Sequence, residues 1–156
     1  MNGLNCGEMS TGTFRATRIR SLTGTYAGSL TLTQASAAGV LTKTPVTMQF
    51  DLQQGATLVG SGTGTGVSSE LALAGVLRVQ GTTCFSSGKT SVTLPSLVEG
   101  SEVLANFDMD DGSVLQMTGV LGDMNGSQIS VSFVQMSAGR CGVLSGIPPT
   151  VFARQL

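Results

Sequence analysis

Residues 22 to 33 alternate without a break. Leu22, Gly24, Tyr26, Gly28, Leu30 and Leu32 fall on one side of an extended chain, and Thr23, Thr25, Ala27, Ser29, Thr31 and Thr33 fall on the other. Successive side chains of a strand point to opposite faces, so this period of two marks a strand with one buried and one wet face. The pattern recurs along the chain. Val46, Met48, Phe50 and Leu52 alternate with Thr47, Gln49, Asp51 and Gln53. Val103, Ala105, Phe107 and Met109 face away from Glu102, Asn106 and Asp108, and Ile129, Val131 and Phe133 alternate with Ser130, Ser132 and Val134. Glu70–Gln80 and Val114–Leu121 are further apolar segments, Thr13–Arg20 lies at the front, and Thr150–Arg154 follows Pro148-Pro149. Strand segments thus recur roughly every 8–15 residues, and no stretch carries a helical period.

Turn residues divide these segments. Gln54-Gly55 reads as a turn, after which Leu58 and Val59 open a strand that decays into the glycine-rich run Gly60–Gly66. Pro95 interrupts Thr90–Val98, which places an edge or a bulge there. Asp110-Asp111-Gly112 is a hairpin turn, and Gly122–Gly126 turns again. Short consecutive turns predict up-and-down antiparallel connections. The predicted fold is all-β, a single domain over residues 1–156, built as an antiparallel up-and-down β-barrel of about 8–10 strands, with a β-sandwich as the alternative. Small and large residues alternate along Leu22, Gly24, Tyr26, Gly28 and Leu30, as barrel interiors require, and closure removes aggregation-prone edges. Residues 1–20 stand apart as an N-terminal arm or exchanged strand.

Charge and composition exclude several classes. Charged residues are 11% of the 156, and the net charge is −1, which gives no nucleic-acid signature. No apolar run approaches the length of a membrane helix. A membrane-spanning barrel needs aromatic girdles, whereas this chain has one Tyr, six Phe and no Trp, with Thr, Ser and Gln on its strands' second faces. Met1–Ser10 lacks the basic and apolar regions of a signal peptide, which leaves either a cytoplasmic chain or a mature form without its leader.

Histidine is absent, which excludes Ser-His-Asp, Cys-His and His-metal sites and predicts a protein that is not an enzyme and holds no cofactor. The run Gly60–Gly66 resembles a phosphate loop, but no Gly-Lys-Ser/Thr follows. Asp108, Asp110 and Asp111 form a weak calcium candidate, since hard cations want clustered oxygens. Their spacing departs from that of an EF-hand, and a polar hairpin tip is the plainer reading. Paired carboxylates for glycoside hydrolysis lack an aromatic sugar platform. Asn125-Gly126-Ser127 matches a glycosylation sequon and also reads as a turn.

Three cysteines leave an odd thiol. Cys84 and Cys141 both sit in Gly/Ser-rich turns, and residue context leaves open a bridge or two small buried apolar residues. Cys6 is a candidate intermolecular thiol. The charges segregate: Arg15, Arg18 and Arg20 cluster at the front. Glu99, Glu102, Asp108, Asp110, Asp111 and Asp123 occur between Lys89 and Arg140 with no basic residue among them. Such separation favours docking of one group on the other, within a chain or between copies; the plainer reading puts the arginines on a protected edge strand. The ends also echo each other, Cys6-Gly7 through Phe14-Arg15-Ala16-Thr17-Arg18 against Cys141-Gly142 through Phe152-Ala153-Arg154. Two such strands compete for one slot, and exchange between molecules is β-strand addition, which propagates or closes into a ring. The simpler arrangement is an N-terminal strand closing its own barrel.

Leu22–Thr33, Cys84-Phe-Ser-Ser-Gly88 and Cys141-Gly142 together resemble secreted bacterial β-barrel domains of the lipocalin-like (calycin-like) kind. The resemblance implies an exported protein, secreted or periplasmic, and a Cys84–Cys141 disulfide; it implies no activity. Leu22–Tyr26 is also similar to strands of the biotin-binding avidins, whose Trp-walled site this chain cannot build. The expectation is a secreted non-enzymatic barrel with a structural or self-assembly role, partnered by itself, with no nucleic acid and no membrane span. The alternative is a barrel holding a small apolar ligand.

Overall fold

The computed structural model describes residues 21–35, 38–58, 70–122, 126–140, 142–145 and 150–156. Its elements are all strands: β1 (Gly24–Ala35), β2 (Leu41–Leu58), β3 (Glu70–Gln80), β4 (Ser87–Thr90), β5 (Leu97–Glu99), β6 (Glu102–Met109), β7 (Val114–Leu121), β8 (Gln128–Gly139), β9 (Gly142–Ser145) and β10 (Thr150–Arg154). Apart from β4–β5 and β9–β10, consecutive strands pair with one another, and all pairings are antiparallel. The sheet closes because β9 and β10 each pair with both β8 and β1. β4 and β5 likewise share one position between β3 and β6. The ten segments therefore make eight staves of a closed antiparallel barrel, two of them interrupted. The arrangement is consistent with a lipocalin-like fold.

The alternation read from Leu22 onward points inward as expected. Leu22, Tyr26, Leu30 and Leu32 are buried, with Val46, Met48, Phe50 and Leu52 of β2 and Val103, Ala105, Phe107 and Met109 of β6. Phe50 stacks edge-on against Phe152 at 4.8 Å and lies 5.5 Å from Phe107. These rings come from three separate staves and meet across the lumen. Gly28 is small for a reason: a Cβ there would lie 2.7 Å from the Phe152 ring and 2.8 Å from the Val151 carbonyl. The large and small residues of β1 thus form a notch into which β10 fits.

Three local readings are corrected. Gln54-Gly55 is not a turn but lies inside β2, which runs on to Leu58; a register shift between Gln54 and Leu58 absorbs the irregularity. Thr90–Val98 is not one strand. It breaks at residues 91–96, which loop outward between β4 and β5 around Pro95, because proline cannot donate to a ladder. The closing position beside β1 is filled by the C-terminal segments β9 and β10 rather than by an N-terminal strand. Thr13–Arg20 lies outside the described residues.

The loop at 91–96 is sealed to the wall by side chains. Ser96 Oγ donates to the Asn106 carbonyl at 3.2 Å and accepts the Asn106 N–H at 2.9 Å. The Asn106 amide donates to the Pro95 carbonyl at 2.5 Å, and Leu73 N–H reaches the Ser96 carbonyl at 2.8 Å. A polar residue on an outward position is buried in this way beneath its own loop.

Candidate functional site

Antiparallel order gives the barrel two rims. One carries the chain's entrance at Ser21–Leu22, the Glu99–Glu102 hairpin, the β7–β8 turn and Arg154. The other carries the β1–β2 turn, Gly81–Ser86, Asp110–Ser113 and the β8–β9 turn. Among the described residues, the second rim gathers a cluster of chemistry-bearing side chains. Thr82, Thr83, Cys84, Phe85, Ser86, Asp110, Asp111 and Arg140 line a recess of about 220 Å³ there. Phe85 is buried and plugs the core from this end, with Cys84 packed against it from outside.

Asp110 and Asp111 are the struts of this rim. Asp110 Oδ2 accepts the Ser86 N–H at 3.0 Å, the Ser86 hydroxyl at 2.5 Å and the Ser87 N–H at 3.2 Å. The Ser86 hydroxyl, against a smaller opposing push from desolvation, holds the Asp110 carboxyl below its usual range. Asp111 accepts the Ser113 N–H at 3.0 Å and hydroxyl at 2.5 Å through Oδ1, and the Arg140 N–H at 3.0 Å through Oδ2. Desolvation pushes Asp111 up, and the bonds from Ser113 and Arg140 together outweigh it, so its carboxyl is also lowered. One aspartate thus ties the β3–β4 turn to the β6–β7 turn, and the other ties the β6–β7 turn to the β8–β9 turn.

The acidic residues do not form one surface. Glu99 and Glu102 face each other across the β5–β6 hairpin at the first rim. Asp110 lies at the far end of β6, roughly 25 Å away at strand rise. Asp108 points outward, opposite Lys89 in register. Among the described residues no group of three or more His, Cys, Asp or Glu is placed to hold a metal ion, so Asp108, Asp110 and Asp111 are not gathered as a calcium cage. Arg15, Arg18, Arg20, Cys6, Asp123 and Cys141 lie outside the described residues. Among the described residues no helix is long and apolar enough to cross a membrane.

Two features had no sequence signal. Asp51 on β2 takes the Thr25 hydroxyl at 2.8 Å and pairs with Arg78, three staves meeting on the outer wall. The Thr25 hydrogen bond lowers its carboxyl most, desolvation opposing, with Arg78 adding to the lowering. Asn106, whose place in the alternation puts it in solvent, is buried under residues 91–96.

No protein-family model, curated protein or solved structure matches this chain.

Proposed function

We propose that this protein is an exported, non-enzymatic barrel of the lipocalin-like kind whose role is structural, exercised by association with copies of itself. The observation that carries this reading is the filled lumen: Phe50, Phe107 and Phe152 meet at its centre and Tyr26, Met48, Leu77, Leu115 and Met117 pack around them. A barrel packed in this way acts through its outside. No buried side chain among the described residues is charged, so the interior presents no acid, base or nucleophile of the usual catalytic kind.

Export is supported by the cysteines. Cys84 lines one recess with Arg140, the residue before Cys141. The reading pairs Cys84 with Cys141 and leaves Cys6 as the thiol available to another subunit. Disulfides of this sort persist in oxidising compartments.

Multi-angle light scattering and electron microscopy on the full chain test the proposal. Oligomers or filaments are expected. A strict monomer at all concentrations, unchanged when Met1–Arg20 is removed, overturns it.

A further inference from the structure

We propose that the outer wall built by β7, β8, β10 and β1 is the surface on which a second copy of this chain docks; the inference rests on the self-association reading and names its contact. The wall is set apart first by charge. β1, β7 and β8 contain no Asp, Glu, Lys or Arg, and β10 has only Arg154, at the rim. The remaining staves carry the charges of the barrel's outside, among them Lys43, Asp51, Arg78, Lys89, Glu102 and Asp108.

The same wall exposes large apolar side chains that lie together. Val120 and Val151 flank Ser130 in register, one on each side. They are 45% and 50% exposed, and Phe133 close by is 40% exposed. Phe133 faces out because the β7–β8 ladder shifts register between Thr118 and Gly119. Ile129 and Val131 point inward on one side of the shift, and Val134 and Met136 resume the inward series on the other, so Phe133 is turned to solvent. Bulges re-aim side chains in this way and are retained where the new direction is used.

Charge selects the occupant. A partner bringing Asp, Glu, Lys or Arg against this wall would strip water from a charge and find no counter-charge there. A second copy brings the same charge-free wall, so no like charges meet. Association through the opposite side would instead stack Glu102 and Asp108 against their own kind. Laid flat, four staves of about eight residues span roughly 19 by 26 Å; curved round half the barrel they offer at most about 1,000 Å² over two copies, the size of a weak, reversible contact. The geometry is that of two sheets packed face to face about a two-fold axis.

Sedimentation equilibrium of the full chain tests this, with Phe133→Glu and Val151→Glu as wall variants and Val92→Glu as the control on the opposite side, where Val92 is almost wholly exposed. The wild type and the Val92 variant are expected to dimerise reversibly in the micromolar range. Each wall variant is expected to weaken dimerisation about tenfold or more, with an unchanged far-ultraviolet spectrum and, on protein diluted until the wild type is monomeric, an unchanged melting temperature. Hydrogen exchange of the wild type reads the same contact without substitution: amides at 118–120 and 130–133 gain protection on concentration. If the chain self-associates but neither the wall variants nor these amides respond, the wall inference is overturned and self-association stands. If the wild type stays monomeric, or binds neutral phosphatidylcholine vesicles as a monomer, self-association itself falls and the inference with it.

Discussion

The phenolic hydroxyl of Tyr26 donates a 2.7 Å hydrogen bond to the main-chain carbonyl of Gly126, one hundred residues further along the chain. Both partners are buried, and the bond fastens the first stave to the turn that joins β7 and β8. Tyr26→Phe keeps the ring and removes the donor, leaving a buried carbonyl unpaired, at a cost of about 1–3 kcal/mol. Urea unfolding should show a lower midpoint with an unchanged slope.

Gly28 receives the Phe152 ring. Gly28→Val drives two methyl groups into that ring and the Val151 carbonyl, and overpacking of this kind costs about 1–3 kcal/mol. Because the clash falls on the strand that closes the barrel, limited proteolysis should cut first between β8 and the C-terminus. Phe152→Ala opens the centre of the aromatic cluster instead and costs about 3–5 kcal/mol.

Asp51, Asp110 and Asp111 all have carboxyls lowered by folding from the ordinary 3.8. The unfolded chain takes up protons near that value, while the folded chain resists them to lower pH. Their contribution is therefore fully present above the ordinary value and is lost as pH falls through the lowered folded values. Thermal melts from pH 7 downward should be level until about pH 5 and then drop. Asp110→Asn should be less stable than wild type at pH 7 and show a shallower acid limb.

Non-reducing peptide mapping of the oxidised protein should recover Cys84 joined to Cys141 and Cys6 outside that pair. Reduction should then lower stability by about 3–5 kcal/mol, given the length of chain the bridge encloses. A Cys84–Cys6 peptide would contradict the proposed pairing.

How far the sequence reached depends on the range of the interaction concerned. Leu22–Thr33, Val46–Gln53 and Glu102–Met109 report their own burial, because alternation is local and the core needs only one face of each strand. Gly28 is legible as part of a small-and-large taper, although its partner Phe152 is not. Asn106 reads as wet because nothing within its own strand says that Pro95 and Ser96 will fold over it. Phe133 reads as inward because a bulge in β8 is set by its pairing with β7 and leaves no mark on the local alternation. The acidic residues read as one group because they are close in sequence, yet β6 separates Glu102 from Asp110 by its whole length.

The main-chain N–H of Gln155 bonds the Thr25 carbonyl at 2.8 Å, and Arg154 N–H bonds the Ser127 carbonyl at 2.7 Å beside the place where the chain enters at Ser21. Ser21, Arg154 and Gln155 therefore lie at a single pole of the barrel. A tether attached at this pole would hold the molecule in one orientation, with the Cys84 recess pointing away from the attachment and the charge-free wall standing upright beside it. Neighbouring tethered copies would meet side by side, already facing the same way along the barrel axis.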